Sequence, residues 1–522
     1  MDLAHRPLVR SFAACAIATS LAGPALALVD IPLWEPNARA VSDLAASSGV
    51  ARPADPAAGP LDDALYLEAY RALKPRGLVD PLGERLERWA QARADGGLHW
   101  ETLAPDLTLR SYWANEDTRD RPLYGTAGDT LEDGWTTFLN ASGAAFWGDR
   151  VAGAYELQFA REPGDFSFRV KRLYVKGVWG KWSLKVGRDA ERLGPGYHGS
   201  LLLDANAPTY DYWRVRTEAP LFLPGSLAWL GGFRFLVFNA YLSDGDPDPA
   251  DSRYGSGINP VHDPRLLGMR ASYHPTSWLD LGANRAILYG GKGREVYDTP
   301  KDWWELFTAT NENVDPGESH RYDNDQYVSF DLTVRLPFLN GWGPLKGGKA
   351  YFEYGSTDII SKWQGENTGS WEPFKLNRVA KLGGLYLTTA VTEFRFEWAE
   401  TDVPWYRNRM YPQGYTYRGH PLGHHMGGDA QNWFFELSRH FGPAWRARVS
   451  LDLEERARST GTEERRAEWG FGLEARRVRL WDAPLEVRAE AMWARVANAL
   501  DTPDRSDRTE LYLGLSATAR WF

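Results

Sequence analysis

The sequence predicts an all-β transmembrane barrel of about 18 antiparallel strands, with a small helical region ahead of it. Three observations point there. No later stretch approaches twenty apolar residues, so a spanning helix is excluded, yet the 522-residue chain holds 24 Trp, 24 Tyr and 22 Phe. From Leu107 onward apolar and polar residues alternate with a period of two, in segments of roughly ten residues, the length a tilted membrane strand needs. The connections between those segments alternate between short and long.

The N-terminus reads as a secretory signal over 1–27. Arg6 and Arg10 form a basic region, Ser11 to Gly23 is an apolar run too short to span a bilayer, and Ala25-Leu26-Ala27 offers a cleavage site. Cys15 lies inside this segment, with Phe12 where a lipoprotein signal would place Leu. Cleavage after Ala27 would leave a chain with neither disulfide nor thiol nucleophile.

Residues 28–98 carry a helical period. Asp80-Pro81 reads as an N-cap followed by Pro at the first helical position. Leu82, Leu86 and Trp89 share one face, and Gly96-Gly97 stops the run. Asp62 to Leu73 repeats the pattern with Leu65, Ala69 and Ala72, and Asn37 to Ser47 does so more weakly.

The barrel is assigned to 99–522. Val328, Phe330, Leu332, Val334 and Leu336 alternate with polar neighbours. So do Trp445, Ala447, Val449, Leu451 and Leu453, which interleave with Arg446, Arg448, Ser450, Asp452 and Glu454. Leu511, Leu513 and Leu515 interleave with Glu510, Tyr512 and Ser516. One face suits lipid and the other carries ions of both signs, whereas a soluble sandwich would use shorter strands. Connections after even strands are mostly short, as at Gly148-Asp149, Pro275 to Ser277 and Gly442-Pro443. Many after odd strands are long: Glu116 to Gly134, Ala190 to Tyr210, Asp244 to Pro264, Gly291 to Asp325, Asp358 to Lys381 and Asp402 to Gln431. Short periplasmic turns and long external loops are the barrel pattern, and parity puts both chain ends, with the helical region, in the periplasm of an outer membrane. Terminal Phe522 partly matches the final aromatic of substrates of the barrel assembly machinery. The net charge of −9 without a long basic run gives nucleic-acid binding no support.

Three blocks resemble the capsule-assembly Wzi family. They are Gly187-Arg188 with Gly194-Pro195-Gly196-Tyr197-His198-Gly199-Ser200 and Asp204-Ala205-Asn206-Ala207-Pro208; Gly268-Met269-Arg270 with Gly290-Gly291-Lys292-Gly293-Arg294; and Tyr417-Arg418-Gly419-His420 with Gly423-His424-His425-Met426-Gly427-Gly428-Asp429. Leu193 stands where the family pattern would have Trp. The resemblance implies an eighteen-stranded barrel, a periplasmic helical bundle and a surface lectin, not an enzyme, that retains exported capsular polysaccharide or exopolysaccharide. It marks Arg188, Gly194, Pro195, Gly196, Asn206 and Arg294 as the family-motif loop residues. The alternatives are a diffusion porin and an outer-membrane lipid hydrolase.

Other clusters read as follows. His420, His424 and His425 lie in a Gly- and Pro-rich stretch, which argues against a helical metal pair, and no metal or cofactor is expected. Asp244, Asp246, Asp248 and Asp251 fail the EF-hand pattern because Pro249 replaces the turn glycine. Ser200, His198 and Asp204 lack a nucleophile elbow. Loop aromatics are the glycan-contact candidates: Trp303, Trp304, Trp363, Trp371, Trp405 and Tyr406, with Arg407 and Arg409 beside them. Flat rings pack on sugar faces while neighbouring charges bond the hydroxyls, although the same rings can equally fold the loops. The partners implied are polysaccharide and outer-membrane lipids.

Overall fold

The computed structural model describes most of the chain from Val29 to Arg520. Residues 1–28, 36–40, 45–62, 77–79, 95–96, 101–104, 118–122, 244–260, 309–323, 362–373, 409–410, 481–482, 501–505 and 521–522, with a few single positions, lie outside that description. The expected signal segment, the acidic stretch at Asp244 to Asp251 and Phe522 fall there.

Among the described residues eighteen long antiparallel strands close on themselves, with the short pieces Leu98–His99 and Leu221–Phe222 paired alongside. The first six are β1 (Asp106–Ala114), β2 (Gly134–Trp147), β3 (Val151–Glu162), β4 (Asp165–Trp179), β5 (Trp182–Asp189) and β6 (Tyr210–Thr217). Then come β7 (Gly232–Tyr241), β8 (Arg265–Thr276), β9 (Leu279–Tyr289), β10 (Asn324–Arg335), β11 (Leu345–Ser361) and β12 (Phe374–Thr389). The last six are β13 (Thr392–Thr401), β14 (Ala430–Phe441), β15 (Trp445–Arg456), β16 (Glu464–Leu480), β17 (Ala483–Ala497) and β18 (Arg508–Ala519). β1 pairs with both β2 and β18, with Leu107 opposite Ala519, so the sheet has no free edge. Closure satisfies backbone groups that lipid cannot.

Alternation builds the wall inside out. On β18 Leu513 and Leu515 are exposed on the outer surface while Glu510 and Tyr512 are buried in the lumen. On β15 Val449 and Leu453 face out, while Arg446, Asp452 and Glu454 face in. Two aromatic girdles frame the apolar band. Trp147, Trp179, Trp278, Phe441 and Trp445 are exposed at the end with the short turns. Trp135, Phe166, Phe168, Trp433 and Trp493 are exposed toward the opposite end. One expectation shifts: Asp358 to Lys381 is not all loop. β11 and β12 stay paired out to Ser361 opposite Phe374, lengthening that hairpin.

Helices α1 (Asp63–Leu73) and α2 (Pro81–Ala94) form where expected. The Asp80 carboxylate accepts from the Gly83 N–H at 2.8 Å, an N-cap that satisfies one orphan donor of α2. Tyr66, Tyr70, Leu73, Leu82 and Leu86 bury a small core between them. The pair docks at the barrel's short-turn end, where Trp89 meets Phe146 edge-on at 5.3 Å and Arg85 pairs with Asp106.

The stretch before α1 enters the lumen. Asp30 is fully buried among cations from three strands: Lys176 on β4 at 2.9 Å, Lys185 on β5 at 2.8 Å, and Arg214 and Arg216 on β6 at 2.8 and 2.9 Å. Burial alone would raise its pKa, but Arg214, Arg216, Lys176 and Lys185 outweigh burial and hold it well below the usual carboxylate range. Trp34 donates its indole N–H to Glu156 at 2.9 Å, and Arg520 donates to Glu35 at 2.9 Å.

Candidate functional site

At the opposite end the long loops turn inward. The connection between β5 and β6 sinks Leu193, Leu201, Leu202 and Leu203 into the lumen, all with no exposed surface. The connection between β13 and β14 packs Trp405, Tyr411, Tyr415 and Leu422 against them and against inward Tyr212, Phe238, Tyr327 and Leu382 of the wall. Hydrogen bonds sew the loops together. Asp204 N–H donates to the Leu422 carbonyl at 2.7 Å, and the Asn206 amide donates to the Gly423 carbonyl at 2.7 Å. Tyr406 donates to the Leu201 carbonyl at 2.5 Å and accepts from the His424 N–H at 2.7 Å. Ala127 of the first long loop bonds Ala205 at 2.8 Å, and Tyr411 reaches Gly290 at 3.1 Å. The result is a plug whose apolar core is continuous with inward apolar side chains of the wall.

Gly194, Pro195, Gly196 and Asn206 of the family motif build this plug, Arg294 meets it at Tyr411, and Arg188 stays on the wall. Gly194 has φ +131°, and a Cβ there would lie 1.9 Å from the Ser200 hydroxyl, so only glycine passes. Gly196 faces the Gly199 carbonyl with the same result. Pro195 sits between these two glycines, and Leu193, the departure from the family pattern, is fully buried and bridges to Leu203. The Glu397 carboxylate gathers three successive backbone N–H groups, from Tyr197 at 2.5 Å and from His198 and Gly199 at 3.0 Å each. It also accepts from Tyr351 at 2.6 Å. Arg188 forms a two-bond pair with Asp211 at 2.8 and 2.7 Å. Arg294 lies over the Tyr411 ring at 4.8 Å.

Ser200, His198 and Asp204 are not brought into a relay. The Ser200 hydroxyl donates to the Leu193 carbonyl, Asp204 pairs with Arg192 at 3.1 Å, and His198 bonds Asp452 at 2.8 Å. The histidines group differently from their order in the chain. His425 sits beside His198, ring centroids 4.7 Å apart, and His424 lies against His425 at 4.3 Å. Burial disfavours a charged His198, but Asp452 outweighs it and raises that imidazole's basicity. Burial lowers His424 far below the ordinary range and lowers His425 as well.

The predicted loop aromatics divide. Trp405 and Tyr406 are plug core, Trp405 with no exposed surface, so neither offers a face to a polymer. Their loop folds inward because its backbone and hydroxyl partners lie on the neighbouring plug loop. Trp303 and Trp304 lie on α3 (Pro300–Thr308), inside the β9–β10 connection. Thr299 and Asp302 cap this helix reciprocally, at 3.1 and 3.2 Å, and Pro300 follows as first residue. Arg285 of β9 donates to the Leu306 and Phe307 carbonyls at its end. Trp303 turns in against Tyr289, while Trp304 is 65% exposed beside exposed Phe307, ring centroids 6.3 Å apart. Phe307 was not singled out in the sequence, although its i, i+3 spacing from Trp304 could have marked it. Arg407 is exposed. Trp363, Trp371 and Arg409 lie outside the described residues.

Between the plug and the Pro32–Glu35 stretch lies a cavity of about 420 Å³. Its wall carries both signs of charge, including Arg110, Arg446, Arg448, Glu436 and Glu474.

A family model described as capsule assembly protein Wzi matches residues 115–508. A Klebsiella pneumoniae protein described as an uncharacterized 55.8 kDa protein in the cps region is 26% identical over 168 residues. That match spans 31% of this chain and only 29% of the relative's length. Among solved structures, the Escherichia coli outer-membrane protein Wzi is described as a carbohydrate-binding β-barrel involved in group 1 capsule assembly. It superposes with a TM-score of 0.61 at 18% identity, covering 94% of this chain and 98% of its own. Pseudomonas aeruginosa OccD3 gives a TM-score of 0.45 at 10% identity, over 80% of this chain and 91% of its own.

Proposed function

This chain belongs to the capsule assembly protein Wzi family, and from that premise we propose that it is a non-enzymatic outer-membrane lectin that binds and retains exported capsular polysaccharide or exopolysaccharide at the cell surface. The observation that carries the reading is the filled lumen. Inward loops with an apolar core occupy the space a diffusion porin keeps for solute, so the working surface is the outward one. The carbohydrate-binding description of the Escherichia coli relative points the same way.

In this reading the short-turn end faces the periplasm with α1, α2 and the Asp30 stretch, and the domain limits are 28–98 and 99–522 after a signal over 1–27. Lipids of the outer membrane contact the apolar band, and the barrel assembly machinery inserts it. Polymer contact falls on exposed rings and charges of the loop end. Trp304 and Phe307 supply adjacent faces on α3, and Arg407 supplies a donor. Trp303 supports them from beneath, and Trp363, Trp371 and Arg409 remain candidates on the long loops. Weak contacts repeated along a polymer add through avidity.

The test compares cells lacking the protein with cells carrying Trp304→Ala/Phe307→Ala, scoring polymer released into the medium. Deletion should release polymer. The double variant should release part of it while heat-modifiable migration stays that of a folded barrel. Full retention in the double variant would move the contact off α3. Full retention in the deletion would end the lectin reading. Purified parent barrel should also be silent in single-channel recording, and steady conductance would favour a porin.

A further inference from the structure

We propose that His198, His425 and Asp452, with Glu454 held against His425, form a divalent-cation site of the zinc class that fastens two plug loops to the barrel wall. The four side chains come from three places. His198 is on the β5–β6 loop, His425 on the β13–β14 loop, and Asp452 and Glu454 are successive lumen-facing positions of β15. One ligand atom each from His198, His425 and Asp452 lies within 4.8 Å of the others. His198 Nε2 is 2.8 Å from Asp452 Oδ2, and His425 Nε2 is 3.3 Å from Glu454 Oε2. A tetrahedral cation at about 2.0–2.1 Å from His198, His425 and Asp452 would draw their ligand atoms to roughly 3.3 Å spacing, within the reach of side-chain torsions, with Glu454 beside His425 next in line for the fourth position.

The surroundings are those of a built site. All four side chains are at least nine-tenths buried. Asn432 donates to the remote oxygen of Asp452 at 2.5 Å, and Arg456 donates to the remote oxygen of Glu454 at 2.5 Å. The oxygens nearest the imidazoles are Oδ2 and Oε2, so outer partners aim the inner ligands. Phe434 stacks flat on the His198 ring, 3.9 Å between centroids and 9° between planes, and Glu397 pins the His198 backbone. Two neutral imidazoles and two carboxylates also balance a +2 ion. Nitrogen donors select zinc, cobalt or nickel over calcium and magnesium, which take oxygen.

The probe is Co²⁺ added to purified full-length barrel in detergent after chelator treatment. Equilibrium dialysis should find one Co²⁺ per chain with a tetrahedral visible absorption band, displaced by Zn²⁺. Asp452→Asn and His425→Gln should each weaken binding at least as much as the roughly 10–100-fold that outer-shell partners cost. His440→Gln, at a histidine paired with Glu393 elsewhere, should leave it unchanged. If the buried variants fail to fold, X-ray absorption on the Zn²⁺-loaded parent decides, with two imidazoles and oxygen ligands expected. Less than one equivalent bound by the parent, a metal shell without imidazole, or folded variants that bind as tightly as the parent would each overturn the site.

Discussion

Asp30→Asn tests how the N-terminal stretch is held. The substitution keeps shape and removes the charge shared by Lys176, Lys185, Arg214 and Arg216. Breaking a buried pair by removing one partner costs about 3–5 kcal/mol. Here Lys176 and Arg216 keep Glu218, Lys185 keeps Asp189, and Arg214 keeps Glu191, so the low end, about 3 kcal/mol, applies. The closed strand ladder does not depend on Asp30, so the loss falls on docking of the stretch. At about 1.4 kcal/mol per decade, the detached population should rise roughly 100-fold. Hydrogen exchange of the amides between Val29 and Glu35 reads this directly, with strand amides as the internal reference. The pH dependence follows from the lowered pKa of Asp30. Its stabilisation is fully present above the unfolded value of about 3.9 and is lost only as pH falls through the lower folded value. The parent stretch should therefore stay docked in mild acid, and the Asn variant should lack this acid-dependent component. Parent-like exchange in the variant would refute the electrostatic account.

Other outcomes are expected from the same geometry. Leu513→Arg places a charge on the lipid face and should impair assembly by about 2–4 kcal/mol near the midplane, while Tyr512→Arg, facing the lumen, should be milder; heat-modifiable migration checks both. Glu397→Gln sets an amide against three backbone N–H donors and should speed exchange at residues 197–199 by an amount matching about 2 kcal/mol, with barrel melting unchanged. An epitope at Asp315-Pro316, in the β9–β10 connection, should be labelled on intact cells, while one at Gly148-Asp149 should be silent until the outer membrane is opened.

The barrel was legible because lipid imposes a rule on every second residue. Val449 and Leu453, or Leu513 and Leu515, announce their face without knowledge of their partners. The helix starts were legible for a similar local reason, since Asp80-Pro81 carries its own cap. Loop fate was not local. Trp405 and Trp304 look alike in sequence, yet one closes a core and the other is left exposed. The difference lies in Leu201 and the fully buried wall ring Tyr327, which are far away in the chain. Asp30 gave no signal for the same reason, because its four cations lie on lumen-facing positions of three strands. His198, His425 and Asp452 likewise meet only through the fold.

The cavity between plug and N-terminal stretch makes the barrel a passage with two stoppers in series. Different chemistry holds each: ion pairs around Asp30 on one side, and apolar packing with the Glu397 nest on the other. Were the two to open independently, a through-path would need both at once, and its population would be the product of two small ones. Loosening either one alone would still leave the other filling the lumen.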